Sequence, residues 1–333
     1  MRNIESASEE AYVRKFAFRK FEGLRKGRLY RVWSVATYNM KHQWSRSRWL
    51  KILFGFIIFM FVMMNMFILM FASILAEMQT TSPNEFLADN LWGLVRGFVD
   101  IAGGGEVEIG DDEMPASMSI GGISIFLLVC VVIMGSGLVA DDIRYKATEI
   151  YYSKLDKVEY ITAKYLAFFL FGNIIFTLPC VIEWVLLVTG IKGVDFLEAL
   201  PVLAGVVIFC NSVILVYGSI SVAISSLTNK RLYAGLMMFF GIIMVSGWLV
   251  PTLVPRREFS PFIYADILTV LLIFSYMLTG DSSISFRIGF DSVPVDMDLA
   301  TLEGWLIPLV IILYILAGLA VFAYQVMWRH SRQ

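Results

Sequence analysis

The residues able to make or break bonds are few and poorly spaced for it. Two histidines occur, His42 and His330, both among basic neighbours near the ends of apolar runs. Neither an HExxH zinc motif nor a serine, histidine and acid arrangement can be assembled around them. Cys130, Cys180 and Cys210 each stand alone inside an apolar run, where a thiol acts as a small apolar side chain and not as part of a disulfide framework or thiolate cluster. The sequence carries no GxxxxGK[ST] phosphate loop, so the chain is not itself a P-loop ATPase. Enzyme chemistry is not expected of it, and no cofactor or metal is expected in it.

Softer signals remain. Asp281, Asp291, Asp296 and Asp298 offer oxygen ligands for a hard cation, but DSVPVDMD lacks the glycine and closing glutamate of an EF-hand loop, and an acidic, solvated loop is expected. In FMFVMMNMFILM, Met60, Met63, Met64, Met66 and Met70 surround Asn65; thioethers suit copper(I), yet neighbours such as 63 and 64 point to different sides of a helix, which favours adaptable packing. Glu183 is an ionisable group inside an apolar run, with Pro179 one turn before it and Trp184 beside it. It reads either as a carboxylate near lipid headgroups or as a pathway or gate residue. Asn173 and Asn211 are pathway candidates with it, although these two and Asn65 also suit interhelical hydrogen bonding.

The elements that must position these groups are membrane helices. Of 333 residues, 58% are hydrophobic and 17% charged, and the mean hydropathy is +0.72, well above that of ordinary soluble domains. A span needs about 20 apolar residues to cross roughly 30 Å of hydrocarbon. Six such runs lie at 49–76, 118–140, 161–188, 200–227, 232–254 and 305–327. A seventh stretch, 262–280, is short and carries Asp266; it is expected to re-enter the membrane or lie at its surface. The fold class is therefore all-α integral membrane, with a transmembrane domain over 49–327, a basic region at 1–48 and a tail at 328–333.

Charge sets the orientation. Of the 27 lysines and arginines, 22 fall in residues 1–51, 141–164, 230–231 and 329–332. That side is expected to be cytoplasmic, with both termini on it and the protein multi-pass in the cell (plasma or inner) membrane. No cleavable signal peptide precedes the first apolar run. Residues 8–45 interleave basic and aromatic side chains, as an amphipathic helix contacting anionic lipid would, and nucleic acid is not expected as a partner. On the opposite side, NEFLADNLWGLVRGFVD predicts an amphipathic helix whose Phe86, Leu87, Leu91, Trp92, Val95, Phe98 and Val99 rest on the membrane or pack.

Between the second and third spans, residues 141–159 hold five carboxylates and four basic residues. At about 2.5–3.5 kcal/mol per charge, burying them in hydrocarbon would cost more than about 20 kcal/mol, so they lie outside it. Ile143, Ala147, Ile150, Tyr151, Leu155 and Val158 recur at helical spacing, which predicts one amphipathic helix with Asp141 and Asp142 at its N-terminal end. Tyr145, Glu149, Tyr152 and Asp156 occupy its other face, turned to solvent or to a partner.

The stretch GSGLVADDIRYKATEIYYSKLDKVEYITAKYL resembles the corresponding region of the type-2 ABC exporter permeases. There, a small-residue and acidic run ends the second span, a coupling helix follows, and a Glu-Tyr pair precedes a lysine that opens the third. Those positions are Asp141 and Asp142, Glu159 and Tyr160, and Lys164. RVWSVATYNMKHQWSRSRWLKILF resembles the family's approach to its first span, and SSLTNKRLYAGL its turn between the fourth and fifth. The proline that many relatives carry near Lys154 is missing. The resemblance implies a permease subunit that pairs with a second permease subunit and docks cytoplasmic ABC ATPase subunits holding ATP and Mg. Asp141, Asp142, Tyr145, Glu149, Tyr152, Asp156, Lys157, Glu159 and Tyr160 would then form the ATPase-coupling set. The alternative is a membrane anchor or assembly protein that recruits cytoplasmic partners without transport.

Overall fold

The computed structural model describes residues 27–78, 82–100, 123–148, 151, 155–255, 259–288 and 293–331. Five stretches are long and apolar enough to cross a membrane: Ser124–Arg144, Lys157–Gly190, Phe196–Leu227, Arg231–Leu253 and Leu302–Trp328. They make this a multi-pass membrane protein. The first expected span, 49–76, falls within a further helix of 31 residues.

In chain order, α1 (Arg28–Arg46) breaks at Ser47 and leads into α2 (Arg48–Met78). The α3 helix is Pro83–Arg96, α4 is Ile123–Ser136 and α5 is Ala140–Arg144. The stretch Lys157–Gly190 is α6 (Lys157–Gly172) and α7 (Leu178–Gly190), joined by a π-turn at Asn173–Thr177. Then come α8 (Phe196–Leu227), α9 (Arg231–Met244) and α10 (Val250–Leu253), the last two joined by a second π-turn at Val245–Leu249. Each π-turn ends two residues before a proline, Pro179 or Pro251. A proline supplies no N–H to the carbonyl four residues back and its ring crowds that carbonyl, so the turn ahead of it widens.

The hub is α8, which packs on α12 (Leu302–Ser331) and on α3, α4, α6, α7 and α9. Small residues let the backbones meet: a methyl at Gly318 of α12 would come within 2.7 Å of the Ser219 carbonyl of α8. The side expected to face lipid carries exposed Leu232, Met237, Phe240, Leu313 and Leu316.

Two elements differ from expectation at the end opposite α1. The acidic stretch 281–298 includes an antiparallel hairpin, β1 (Ser283–Ile288) and β2 (Val293–Asp298), so the fold is not all-α. The cause is a two-residue alternation that composition hid: Ile284, Phe286, Ile288, Val295, Met297 and Leu299 are all buried, while Asp296 and Asp298 face out. The ambiguous stretch becomes a 3-10 turn (Pro261–Ala265) and α11 (Ile267–Thr279). With 13 residues, α11 is about 20 Å long, short of a crossing. Protein surrounds it, and Ile267 through Ile273 are buried without interruption. Its N-cap Asp266 accepts from the Leu268 amide at 3.0 Å, from Thr269 Oγ1 at 2.5 Å and from the Ser246 hydroxyl of the second π-turn.

The α3 helix packs rather than rests on a surface. Leu87, Leu91, Trp92, Leu94 and Val95 are buried, Trp92 meets Phe209 of α8, and Phe98 meets Phe61 and Phe176. Arg96, at its C-terminal end, lies 3.7 Å from the Tyr276 ring centre, donates to Thr279 at 3.0 Å and stands 3.5 Å from Asp281. Burial pulls its guanidinium below the ordinary arginine range, and Tyr276 and Asp281 offset part of that. At the other extreme of the chain, α12 continues to Ser331, so the expected tail is mostly helix.

Candidate functional site

The densest polar structure sits at the basic end of the bundle, where α1 lies across α5 and the start of α6. The α4 helix stops at Ser136, and the chain turns through residues 137–139 before α5. Space is tight at the head of that turn: a Cβ on Gly137 would lie 3.0 Å from Gln43 Nε2, 3.1 Å from Asp141 Oδ2 and 3.2 Å from Arg231 Nε, so these side chains would have to give by a few tenths of an ångström. Ser225, wholly buried on α8, holds the turn. Its hydroxyl accepts from the amides of Val139 at 3.1 Å and Ala140 at 2.9 Å and donates to the Ser136 carbonyl at 3.0 Å. Helix-end groups left without partners by the break are thereby satisfied from a neighbouring helix. Arg231 adds a bond to the Ile133 carbonyl at 2.6 Å.

Among the described residues five ion pairs tie α1, α5 and α6 together, two of them from Arg28 of α1, which lies 3.7 Å from Asp156 and 3.8 Å from Glu159. Asp141 pairs with Arg46 of α1 at 2.7 Å, and Glu159 of α6 with Arg31 of α1 at 2.7 Å. Asp142 takes Lys164 Nζ at 2.6 Å and the Tyr160 hydroxyl at 2.8 Å. Lys164, 1% exposed, also donates to Asn39 Oδ1 at 2.8 Å. A charge so deep persists only when paired and hydrogen-bonded, and Lys164 is both. The Tyr151 and Tyr160 ring centres each lie 5.5 Å from its ammonium, and burial pushes the Tyr151 phenol up to about 12. Glu159 also accepts from the Asp156 amide at 3.2 Å, which starts α6.

This geometry divides the residues expected to couple to a partner. Tyr145 is 59% exposed, Asp156 is exposed but caps α6 and lies 3.7 Å from Arg28 of α1, and Lys157 is half-buried. By contrast Asp141, Glu159 and Tyr160 are buried and Asp142 nearly so, and their side chains are engaged by α1, α5 and α6. Glu149 and Tyr152 lie outside the described residues, as does Lys154. The single amphipathic helix expected over 141–159 is not continuous. It breaks after Arg144, where Lys146 adopts φ 56, and again at the α6 cap, so Val158, expected on the apolar stripe, is 67% exposed. A left-handed residue cannot continue a right-handed helix.

The other expected residues scatter. Glu183 is buried on α7, 2% exposed. Asn173 and Asn211 each donate to the carbonyl four residues back in their own helix, Phe169 at 3.0 Å and Val207 at 2.7 Å, instead of across helices. Cys180 and Cys210 are not isolated: their sulfurs lie 3.9 Å apart. Asp281 turns to Thr279 and Arg96, Asp298 caps Ala300, and Asp291 lies outside the described residues. Among the described residues no group of three or more metal-ligating side chains converges. Met63 and Met66 point outward, 53% and 64% exposed, while the side chains of Met64, Asn65 and Met70 lie outside the described residues, as does that of His330. His42 stacks on Tyr38 at 5.9 Å.

Sequence reasoning passed over Arg31, Asn39, Gln43, Arg46, Ser225 and Arg231. For the α1 members a signal existed: positions 31, 39, 43 and 46 fall on one helix face, and it is polar. Comparison with protein-family models and with curated proteins finds no match for the chain.

Proposed function

We propose that this chain is the permease subunit of an ABC transporter, moving a substrate across the cell membrane with ATP hydrolysed by separate cytoplasmic subunits. In this reading it has six spans, α2 being the first, its basic end and both termini are cytoplasmic, and it pairs with a second permease subunit. Exporter-like action would come from rearrangement of its helices by the ATPase.

The observation that carries the reading is the ion-paired joint of α1, α5 and α6. A push on the segment between the second and third spans does not dissipate in a loose loop. Asp141, Asp142 and Glu159 pass it to α1 and α6, and Ser225 and Arg231 pass it to α8, α4 and α9. Tyr145, Asp156 and Lys157 are the outward residues an ATPase would touch, and the exposed Tyr30, Trp33 and Trp49 beside Lys41 and Lys51 suit membrane lipid. Gentle-detergent purification from the native host tests this. An ABC-type ATPase is expected to co-purify and to be lost in a Tyr145→Ala, Lys157→Glu variant that still inserts. A preparation without any ATPase would favour the anchor or assembly reading.

A further inference from the structure

Two of the three cysteines meet across helices. Cys180 begins α7, directly after Pro179 and just past the first π-turn, and Cys210 lies midway along α8. Both thiols are free, both residues are 0% exposed, and 3.9 Å separates the sulfurs. Such a pair can hold a soft cation or be oxidised, and charge decides between them. Two thiolates around a monovalent ion leave a net negative charge in an apolar interior, beside the buried Glu183 one turn along α7, and that is costly. A disulfide leaves no charge. Closing it asks the sulfurs to approach by about 1.9 Å, to the usual bond length near 2.05 Å. The widened turn ahead of Pro179 is where α7 has the slack to supply that movement.

We propose that Cys180 and Cys210 form an oxidisable dithiol, closed to a disulfide by a two-electron oxidant apolar enough to enter hydrocarbon, of the quinone class. The two S–H bonds break and one S–S bond forms. Both protons and both electrons pass to the quinone, which leaves as the hydroquinone. Closure ties the segment after the π-turn to α8, the hub of the bundle, and restrains any rearrangement of α7 against it. With neither sulfur exposed, the quinone meets the pair only as α7 moves at the widened turn, and charged, water-soluble oxidised glutathione does not follow it into the apolar interior.

The test reads thiols and is independent of the transporter reading. Full-length protein in liposomes is treated with a fully substituted benzoquinone, whose ring offers no carbon for thiol addition, then denatured and alkylated. Alkylatable cysteines are expected to fall from three to one, leaving Cys130, with a cross-linked peptide joining 180 and 210 that dithiothreitol releases. Cys130→Ser protein falls from two to none. Cys180→Ser and Cys210→Ser proteins keep both of their thiols, and oxidised glutathione leaves wild type at three. Persistence of three thiols after the quinone, loss in either single serine variant, or equal oxidation by glutathione disulfide overturns the proposal.

Discussion

At the scale of single residues, the joint at the basic end depends on charges that have left water together. Lys164 has no solvent to fall back on, and its partner Asp142 is only 14% exposed at the side chain. Asp142→Asn or Lys164→Gln alone is expected to cost about 3–5 kcal/mol, because each strands the other charge. The double variant should recover at least half of that. Unfolding midpoints of the purified proteins in detergent check this, and a double variant as unstable as the worse single one would show that the two are not coupled. Little of this pairing was legible beforehand. Asp141 and Arg46 are 95 residues apart, and Glu159 and Arg31 are 128 apart, distances over which a sequence carries no spacing rule. What was legible was the cost of burying charge. It gave the expectation that 141–159 lies outside the hydrocarbon, and said nothing of the α1 residues that pair with Asp141 and Glu159. The contact of Cys180 with Cys210 was hidden for a related reason: each cysteine sits in its own apolar run, and only the crossing of α7 and α8 brings them together.

At the scale of elements, the break between α4 and α5 is held from outside by one hydroxyl. Ser225→Ala leaves the Val139 and Ala140 amides without their partner, and about 1–3 kcal/mol of stability should go with each buried group that stays unpaired. Loosening should appear locally as well. Arg144 and Lys146, both exposed, should be cut faster by trypsin in Ser225→Ala protein than in wild type, and equal cleavage rates would mean that the turn is held by something else. The long helices themselves were readable to within a few residues, because hydropathy over about 20 positions does not depend on tertiary detail. Short elements were not. Lysine has no preference for φ > 0 that would announce the break at Lys146. The β1–β2 hairpin was written in the alternation of ISFRI and VPVDMD, but its acidic outward positions gave it the look of a loop.

At the scale of the whole molecule, the fold predicts which surfaces share a side of the membrane. Ser45 is exposed at the basic end, and Ser282 is exposed beyond α11 at the other. With the basic end cytoplasmic, as proposed, a cysteine at Ser282 should react with an impermeant maleimide on intact cells, and one at Ser45 only after permeabilisation. Protection at both positions would mean that α11 crosses after all and that the acidic hairpin lies inside. The burial of α11 also constrains how the protein is made. A helix of 13 residues capped by a buried aspartate has no stable resting place in lipid by itself. Its neighbours α3, α8 and the second π-turn are synthesised before it, but α12 is synthesised last. The packing of α11 is therefore complete only once residues 302 onward are made. The last helix of the chain thus covers a buried helix too short to cross, and a protein truncated before residue 302 is expected to leave α11 open to protease.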